Sequence, residues 1–524
     1  MRIGTVAVPG IALLMSITGF VAAVRAGEGA TSPAGAGPAA SGPASQTRTG
    51  PAMHKAGEVV IEQASIDVAS GKIDYELGTL YVPENRADPK SRTIGVGFAR
   101  FKAVAGGDGP PTFHLPGGPG TSFLTNLKGY AGHALRYRTA GDVVLMDQRG
   151  FSKRGDVLTY AVRTPELPLD EPASLAKSTA AFVKLAREVV ADFARKGIDL
   201  RGYTVKECAA DVNDLRKALK YEKINLLGVS FGSQWSFAVM RMHPEIVGRA
   251  LLSGVEPLDN GYDMPTDIMA AIRRSWKVAE KDKSLAPYVP AGGLEAAVKE
   301  IYKRFGEGPV TVKVKDAKSG AETAVALGKE DLQRDFLHRG PDGPAFILSL
   351  YHEHYDKWAQ SVLAKRRSHA DALRVIGPLI DTSLGVTPKR LEKLRGDPAV
   401  EYLGMWNWDA YVATAGVWPT ADVGDDFRAP VRTDIPVLFI HGDWDTNTPV
   451  ENSLEIVKSF PRGRVVIVEQ GGHGILEAFA QRYSKEWGQI MDFLRKGEMP
   501  NLPERMMLPA PKFTVPDFPV PAGK

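Results

Sequence analysis

Five residues, Gly228-Val229-Ser230-Phe231-Gly232, constrain this chain more than any other stretch. Ahead of them, Ile224 to Leu227 is a short, mostly apolar run of the kind that forms a buried strand. Behind them, Gln234 to Met242 carries a helical apolar pattern. A serine between a strand end and a helix start, with glycine two residues away on each side, predicts a sharp nucleophile elbow. Such a turn puts Ser230 in a sparsely populated backbone conformation, a strain of roughly 1–3 kcal/mol that the surrounding packing must hold. Gly228 and Gly232 leave space where the helix start crosses the strand end. The Ser230 hydroxyl is then lifted clear of the sheet, beside backbone N–H groups at a helix N-terminus.

The chain around the elbow predicts the layer in which it sits. Thr112 to Leu115, Asp142 to Met146 and Arg249 to Ser253 read as further buried strands, with amphipathic helices at Ala181 to Lys196 and Lys206 to Lys220. Strands alternating with helices imply an α/β protein with a mostly parallel sheet covered on both faces. Val59 to Val68, Leu77 to Val82 and Thr93 to Phe101 are strand-like runs ahead of it, the first two joined at Ser70-Gly71. From Leu258 the alternation stops. Helical patterns at Met264 to Val278, Gly293 to Phe305, Lys329 to Leu337 and Pro344 to Leu363, with a hairpin signal around Asp316 to Gly320, predict an inserted, mainly helical cap. The sheet resumes at Ile435 to His441 and Val465 to Glu469, and a closing helix is expected from Ile475 to Lys496.

The predicted organisation is a signal peptide over 1–26, a Gly/Ala/Pro/Ser-rich linker over 27–57, a core in two parts (58–258 and 429–498) around a cap at 259–428, and a proline-rich tail over 499–524, draped or disordered. The uncharged stretch after Met1-Arg2 and the small residues Ala22-Ala23 and Ala26 carry the export expectation, with a periplasmic or secreted destination. An uncleaved anchor is the alternative, and no membrane association is expected after cleavage. A balance of 65 Lys+Arg against 61 Asp+Glu gives no electrostatic case for nucleic acid. One cysteine, Cys208, leaves no intramolecular disulfide and no cysteine-based metal site, and its helical surroundings suggest a buried thiol. His352-Glu353-His354 lacks the His-Glu-x-x-His spacing, so neither a metal nor a cofactor is expected. The oligomeric state is left open.

A serine hydroxyl is a poor nucleophile at neutral pH and needs a base within hydrogen-bond reach, itself oriented by a carboxylate. In this architecture the acid should leave a late strand end, and the histidine should follow the last strand. Ile435 to His441 ends in Gly442-Asp443-Trp444-Asp445, and Val465 to Glu469 ends in Gln470-Gly471-Gly472-His473. Asp445, deeper in its loop than Asp443, is the expected acid and His473 the expected base; His441 is read as a strand-end packing residue. Thr112 to Leu115 opens into Pro116-Gly117-Gly118-Pro119-Gly120, which lacks the lysine and spacing of a phosphate loop. The expected oxyanion donors are the N–H groups of Gly118 and Phe231. Asp147 and Arg149 of Asp147-Gln148-Arg149-Gly150 are expected to pair and order the loop beside the site.

With these residues in place, the chain resembles the alpha/beta-hydrolase fold and, within it, the prolyl aminopeptidase and tripeptidyl aminopeptidase family of serine peptidases. The matching pieces are Gly117-Gly118-Pro119-Gly120, Asp147-Gln148-Arg149-Gly150, the elbow, Gly442 through Asp445 to Thr448-Pro449, and Gly472-His473, over roughly residues 58 to 496. Gly78-Thr79-Leu80-Tyr81-Val82-Pro83 and Trp418-Pro419 resemble the tripeptidyl branch. Pro116 stands where prolyl enzymes usually carry histidine, and the cysteines common in secreted tripeptidyl-type enzymes are absent. The resemblance implies an exported aminopeptidase that forms an acyl-enzyme and recognises a free peptide N-terminus through acidic groups near the cap. Glu256 is the first choice for that role, with Glu353 and Asp409 behind it. A carboxylesterase or amidase using the same triad on small esters is the alternative.

Overall fold

The apolar runs of the sequence become the strands of one sheet, ten-stranded among the described residues. The structure is a computed structural model that describes residues 54–69, 71–316, 319–336 and 340–521, together with a two-residue strand at Val6–Ala7. Apart from Val6–Ala7, the signal peptide expected at 1–26 lies outside the described residues, as does the linker up to 53.

The strands are β1 (Val59–Val68), β2 (Gly71–Pro83), β3 (Thr93–Phe101), β4 (Thr112–Leu115), β5 (Val143–Met146), β6 (Ile224–Ser230), β7 (Val247–Val255), β8 (Val437–Gly442), β9 (Gly463–Glu469) and β10 (Arg505–Met507). Their spatial order is β1-β2-β3-β5-β4-β6-β7-β8-β9-β10. The pairings β1/β2, β2/β3 and β3/β5 are antiparallel, and the others parallel. Strands covered on both faces read as continuous apolar runs because each side chain has a core to enter. In β8, Val437 and Phe439 enter one apolar layer while Leu438 and Ile440 enter the other. The first layer is completed by helices α1 (Val205–Ala218) and α2 (Phe231–Met242), through Val212, Leu215, Trp235 and Phe237. Cys208 is buried there, as expected. The second layer is completed by Ala131 and Ala134 from the helix Leu127–Tyr137 and by Ile490, Phe493 and Leu494. The expected closing helix is two helices, Ile475–Arg482 and Ser484–Lys496, with Tyr483 between them.

The insertion after β7 builds a core of its own from the helices Pro265–Ala279, Gly293–Glu307, Gly343–Tyr351 and Asp356–Arg366 and the hairpin Val310–Lys315/Glu322–Leu327. Its later part behaves differently. His369–Arg374 pairs antiparallel with Thr159–Thr164, and the helix that follows, α3 (Ile376–Leu384), places Ile376, Leu379, Ile380 and Leu384 in the first sheet layer. Much of the stretch read as cap therefore packs on the sheet, because its apolar side chains find their partners there. The tail drapes from the sheet edge to the cap. After β10, Phe513 and Phe518 are buried in the cap core, Phe513 lies 6.3 Å from Trp444, and the Tyr288 hydroxyl donates to the Phe518 carbonyl at 3.0 Å.

Candidate active site

Ser230 ends β6 and caps α2 with φ 60° and ψ −134°, a conformation an L-residue holds only under constraint. The constraint is the close packing of the turn. A Cβ at Gly228 would lie 2.3 Å from the Gly232 carbonyl oxygen, and one at Gly232 would lie 2.2 Å from the Leu115 carbonyl oxygen. The Ser233 hydroxyl donates to the Ser230 carbonyl at 2.7 Å and accepts from the Glu256 N–H at 2.9 Å, tying the elbow to the end of β7.

The same strand end meets the histidine, which comes from the turn after β9. Ser230 is registered with Val255 across β6 and β7, and a Cβ on the preceding residue, Gly254, would sit 2.9 Å from His473 Cε1. Gly254, with φ +50°, thus leaves the space in which the imidazole lies beside the elbow. His473 Nδ1 lies 2.8 Å from Asp445 Oδ2; because that partner is a carboxylate, Nδ1 carries the proton and Nε2 keeps its lone pair. Asp445 is buried and ringed by donors. Oδ1 accepts from the N–H groups of Asn447 (2.9 Å) and Thr448 (3.0 Å), and Oδ2 accepts from the Thr448 hydroxyl (2.9 Å). Burial opposes its charge, but His473 and His441 together hold its carboxyl far below the usual aspartate range. Burial likewise opposes protonation of His473, and Asp445 outweighs it, so the imidazole pKa is raised. Asp443 serves the loop, accepting the Gln470 N–H at 2.8 Å.

His441 does more than pack. It is fully buried, with Nε2 2.7 Å from the Thr448 carbonyl and 3.3 Å from Asp445 Oδ2, and Nδ1 2.6 Å from the Ser453 hydroxyl. A carbonyl can only accept, so Nε2 carries the hydrogen and Ser453 donates to Nδ1. The ring thus fixes Thr448, whose N–H and hydroxyl both face Asp445. Its place directly before Gly442-Asp443-Trp444-Asp445 was the signal for this role.

A Cβ on Gly117 would lie 3.3 Å from Ser230 Cβ and 3.8 Å from Ser230 Oγ, so the Gly117-Gly118 backbone passes over the serine. Gly118 has φ +119°. The Phe231 N–H opens α2, where no intrahelical acceptor is available to it. The expected Asp147–Arg149 pair does not form. Arg149 is turned to the back of the loop, donating to both carboxylate oxygens of Asp211 (2.7 and 2.6 Å) and to the carbonyls of Glu84 and Gly202. Asp147 faces the other way, accepting from the Ser122 hydroxyl (2.8 Å) and the Leu124 N–H (3.2 Å). Each of them is buried, and consecutive side chains on this turn reach different partners.

Of the three acidic residues expected to meet an amine, one lies at this site. Glu256 follows β7 two residues after Gly254. Burial, and then the charges of Asp263, Asp381 and Asp445, push its carboxyl well above the usual range. Asp263 accepts from Asn452 Nδ2 at 2.7 Å, yet burial lifts it to about 7; burial of Asp381, on α3, lifts it to about 8. Among the described residues, no protein group hydrogen-bonds to the carboxylates of Glu256 and Asp381. The other two residues are placed elsewhere. Glu353 is exposed on the cap beside Arg304 (3.7 Å), and Asp409 accepts from the Thr179 hydroxyl at 2.8 Å, stitching two helices. Neither touches the triad residues. Asp263 and Asp381 carried no periodic or spacing signal; only the fold brings them to Glu256.

Residues 137–281 match the family model described as alpha/beta hydrolase fold, and residues 405–505 match the one described as TAP-like protein. The chain has the alpha/beta-hydrolase fold and is a serine hydrolase; its C-terminal part is similar to TAP-like proteins. This hydrolase is 24% identical over 480 residues to a tripeptidyl aminopeptidase of Streptomyces lividans, covering 79% of this chain and 82% of that enzyme. A tripeptidyl aminopeptidase of Streptomyces coelicolor matches at 24% over 476 residues, covering 79% and 81%. Among solved structures, a proline iminopeptidase of Mycobacterium smegmatis is 13% identical with a TM-score of 0.36, covering 80% of this chain and 98% of that one.

Proposed function

We propose that this hydrolase is an exported aminopeptidase that releases N-terminal residues or short peptides through an acyl-enzyme. Ser230 attacks the scissile carbonyl, His473 Nε2 takes its proton and later gives it to the leaving amine, and Asp445 holds the imidazole in the tautomer that makes this possible. The N–H groups of Gly118 and Phe231 receive the oxyanion. Export rests on the sequence of residues 1–26.

The observation that carries the aminopeptidase reading is the pair of unpartnered carboxylates, Glu256 and Asp381, beside the triad. A half-buried carboxylate without a partner carries a desolvation cost, and a substrate α-ammonium supplies the missing charge and donors. Glu256→Gln and Asp381→Asn are each expected to raise KM for a free-amine peptide nitroanilide roughly 10-fold or more, the loss typical of a charge-assisted hydrogen bond. Hydrolysis of p-nitrophenyl acetate, which carries no amine, is expected to stay within about 2-fold. Parallel losses on both substrates would place these carboxylates in the scaffold instead.

A further inference from the structure

Gln148 is the one side chain of Asp147-Gln148-Arg149-Gly150 that reaches the glycine loop over Ser230. It is fully buried, and its Oε1 lies 2.8 Å from the Gly120 N–H. Because Gly120 donates, the atom facing it is the amide oxygen. The Gly120 carbonyl is taken from the opposite side by Arg374 Nη1 at 3.3 Å, just before α3. A Cβ on Gly120 would meet Ile376 Cγ2 at 3.1 Å, so the Gly120 backbone is clamped between Gln148 and the returning segment. Two residues earlier stands Gly118, with φ +119° and the N–H assigned to the oxyanion. Asp147 holds the other end of the loop through Ser122 and Leu124, and Arg149 anchors the whole turn to Asp211.

We infer that Gln148 is a positioning residue for the oxyanion hole: its amide oxygen fixes Gly120 and thereby aims the Gly118 N–H at the oxygen of the tetrahedral intermediate. This rests on the oxyanion assignment above. Gln148 touches no substrate and acts only through the loop backbone. An oxyanion donor that is present but misaimed loses the part of its effect that develops with the transition-state charge, while ground-state binding is untouched.

Gln148→Met removes the acceptor at nearly constant volume. With p-nitrophenyl acetate as substrate, kcat is expected to fall roughly 10–100-fold with KM within about 2-fold, less than the loss of a donor outright. The Ki of phenylboronic acid, which forms a tetrahedral adduct on the serine, rises by the same factor as kcat falls. The acid limb of the pH–rate profile stays in place, because His473 and Asp445 are unaltered. A kcat within about 2-fold of the parent, or a fall in kcat with unchanged boronic acid affinity, overturns the inference. Should Gln148→Met not fold, Arg374→Met releases the carbonyl side of the same glycine and is judged by the same two readouts. Labelling of Ser230→Ala by a fluorophosphonate separates the failures: persistent labelling refutes the site itself, whereas its loss together with a normal Gln148→Met refutes only the positioning role.

Discussion

Ser230→Ala is expected to lower kcat roughly 10⁶-fold and to abolish labelling by a fluorophosphonate, the scale seen when a triad nucleophile is removed. The elbow makes this loss clean. The strained φ of 60° at Ser230 is imposed by contacts of Gly228 and Gly232, not by the serine side chain, so alanine occupies the same turn. Near-parent melting with no labelling is the expected pairing. Oxyanion donors and substrate contacts remain in the variant, so a residual rate enhancement of about 10³–10⁴ over water is expected.

Asp445→Asn is expected to reduce kcat by about 10⁴ while the fold is kept. The surrounding donors dictate how the amide sits. Oδ1 accepts two backbone N–H groups, from Asn447 and Thr448, so the amide oxygen stays there and the NH₂ replaces Oδ2. It then faces His473 Nδ1, which must become an acceptor, and the ring proton moves to Nε2, where a lone pair is needed. The pH profile carries a second signature. Asp445 raises the His473 pKa, so activity falls as pH drops below a value above that of an ordinary imidazole. Without the carboxylate the imidazolium is no longer favoured, and the residual acid limb moves to lower pH. Asp443→Asn keeps an acceptor for the Gln470 N–H and is expected to remain within about 3-fold of the parent, because that hydrogen bond survives and the side chain lies away from the reacting atoms.

The sheet and the place of the triad were legible in the sequence for one physical reason. Parallel strands buried on both faces are short apolar runs, and the residues at their C-terminal ends sit in glycine-rich turns that stand out against them. Ile224 to Ser230, Val437 to Asp445 and Val465 to His473 all have this form. Thr159–Thr164 does not. Several of its residues are exposed, it pairs with His369–Arg374 and Val6–Ala7 outside the main sheet, and none of these segments reads as a strand by itself. Polar partners were the least legible. Asp147 and Arg149 are two residues apart with opposite charge, yet their partners, Ser122 and Asp211, are set by distant packing. Asp381 lies on α3 among apolar residues that join the sheet layer, and its approach to Glu256 follows from that packing. His441 looked like a strand-end residue because the carbonyl it supports, that of Thr448, becomes its neighbour only when the acid loop folds back.

The measurement that tests the account most directly compares kcat/KM for a peptide nitroanilide with a free N-terminus against the same peptide N-acetylated. Acetylation removes the ammonium that Glu256 and Asp381 are proposed to meet and leaves a neutral amide in its place. Loss of a hydrogen-bonded charge partner in a buried site is expected to cost about 10²–10³-fold in kcat/KM. The loss should vanish in the Glu256→Gln, Asp381→Asn double variant. Equal rates on the free and acetylated peptides would contradict the aminopeptidase reading and leave a serine hydrolase of esterase or amidase type.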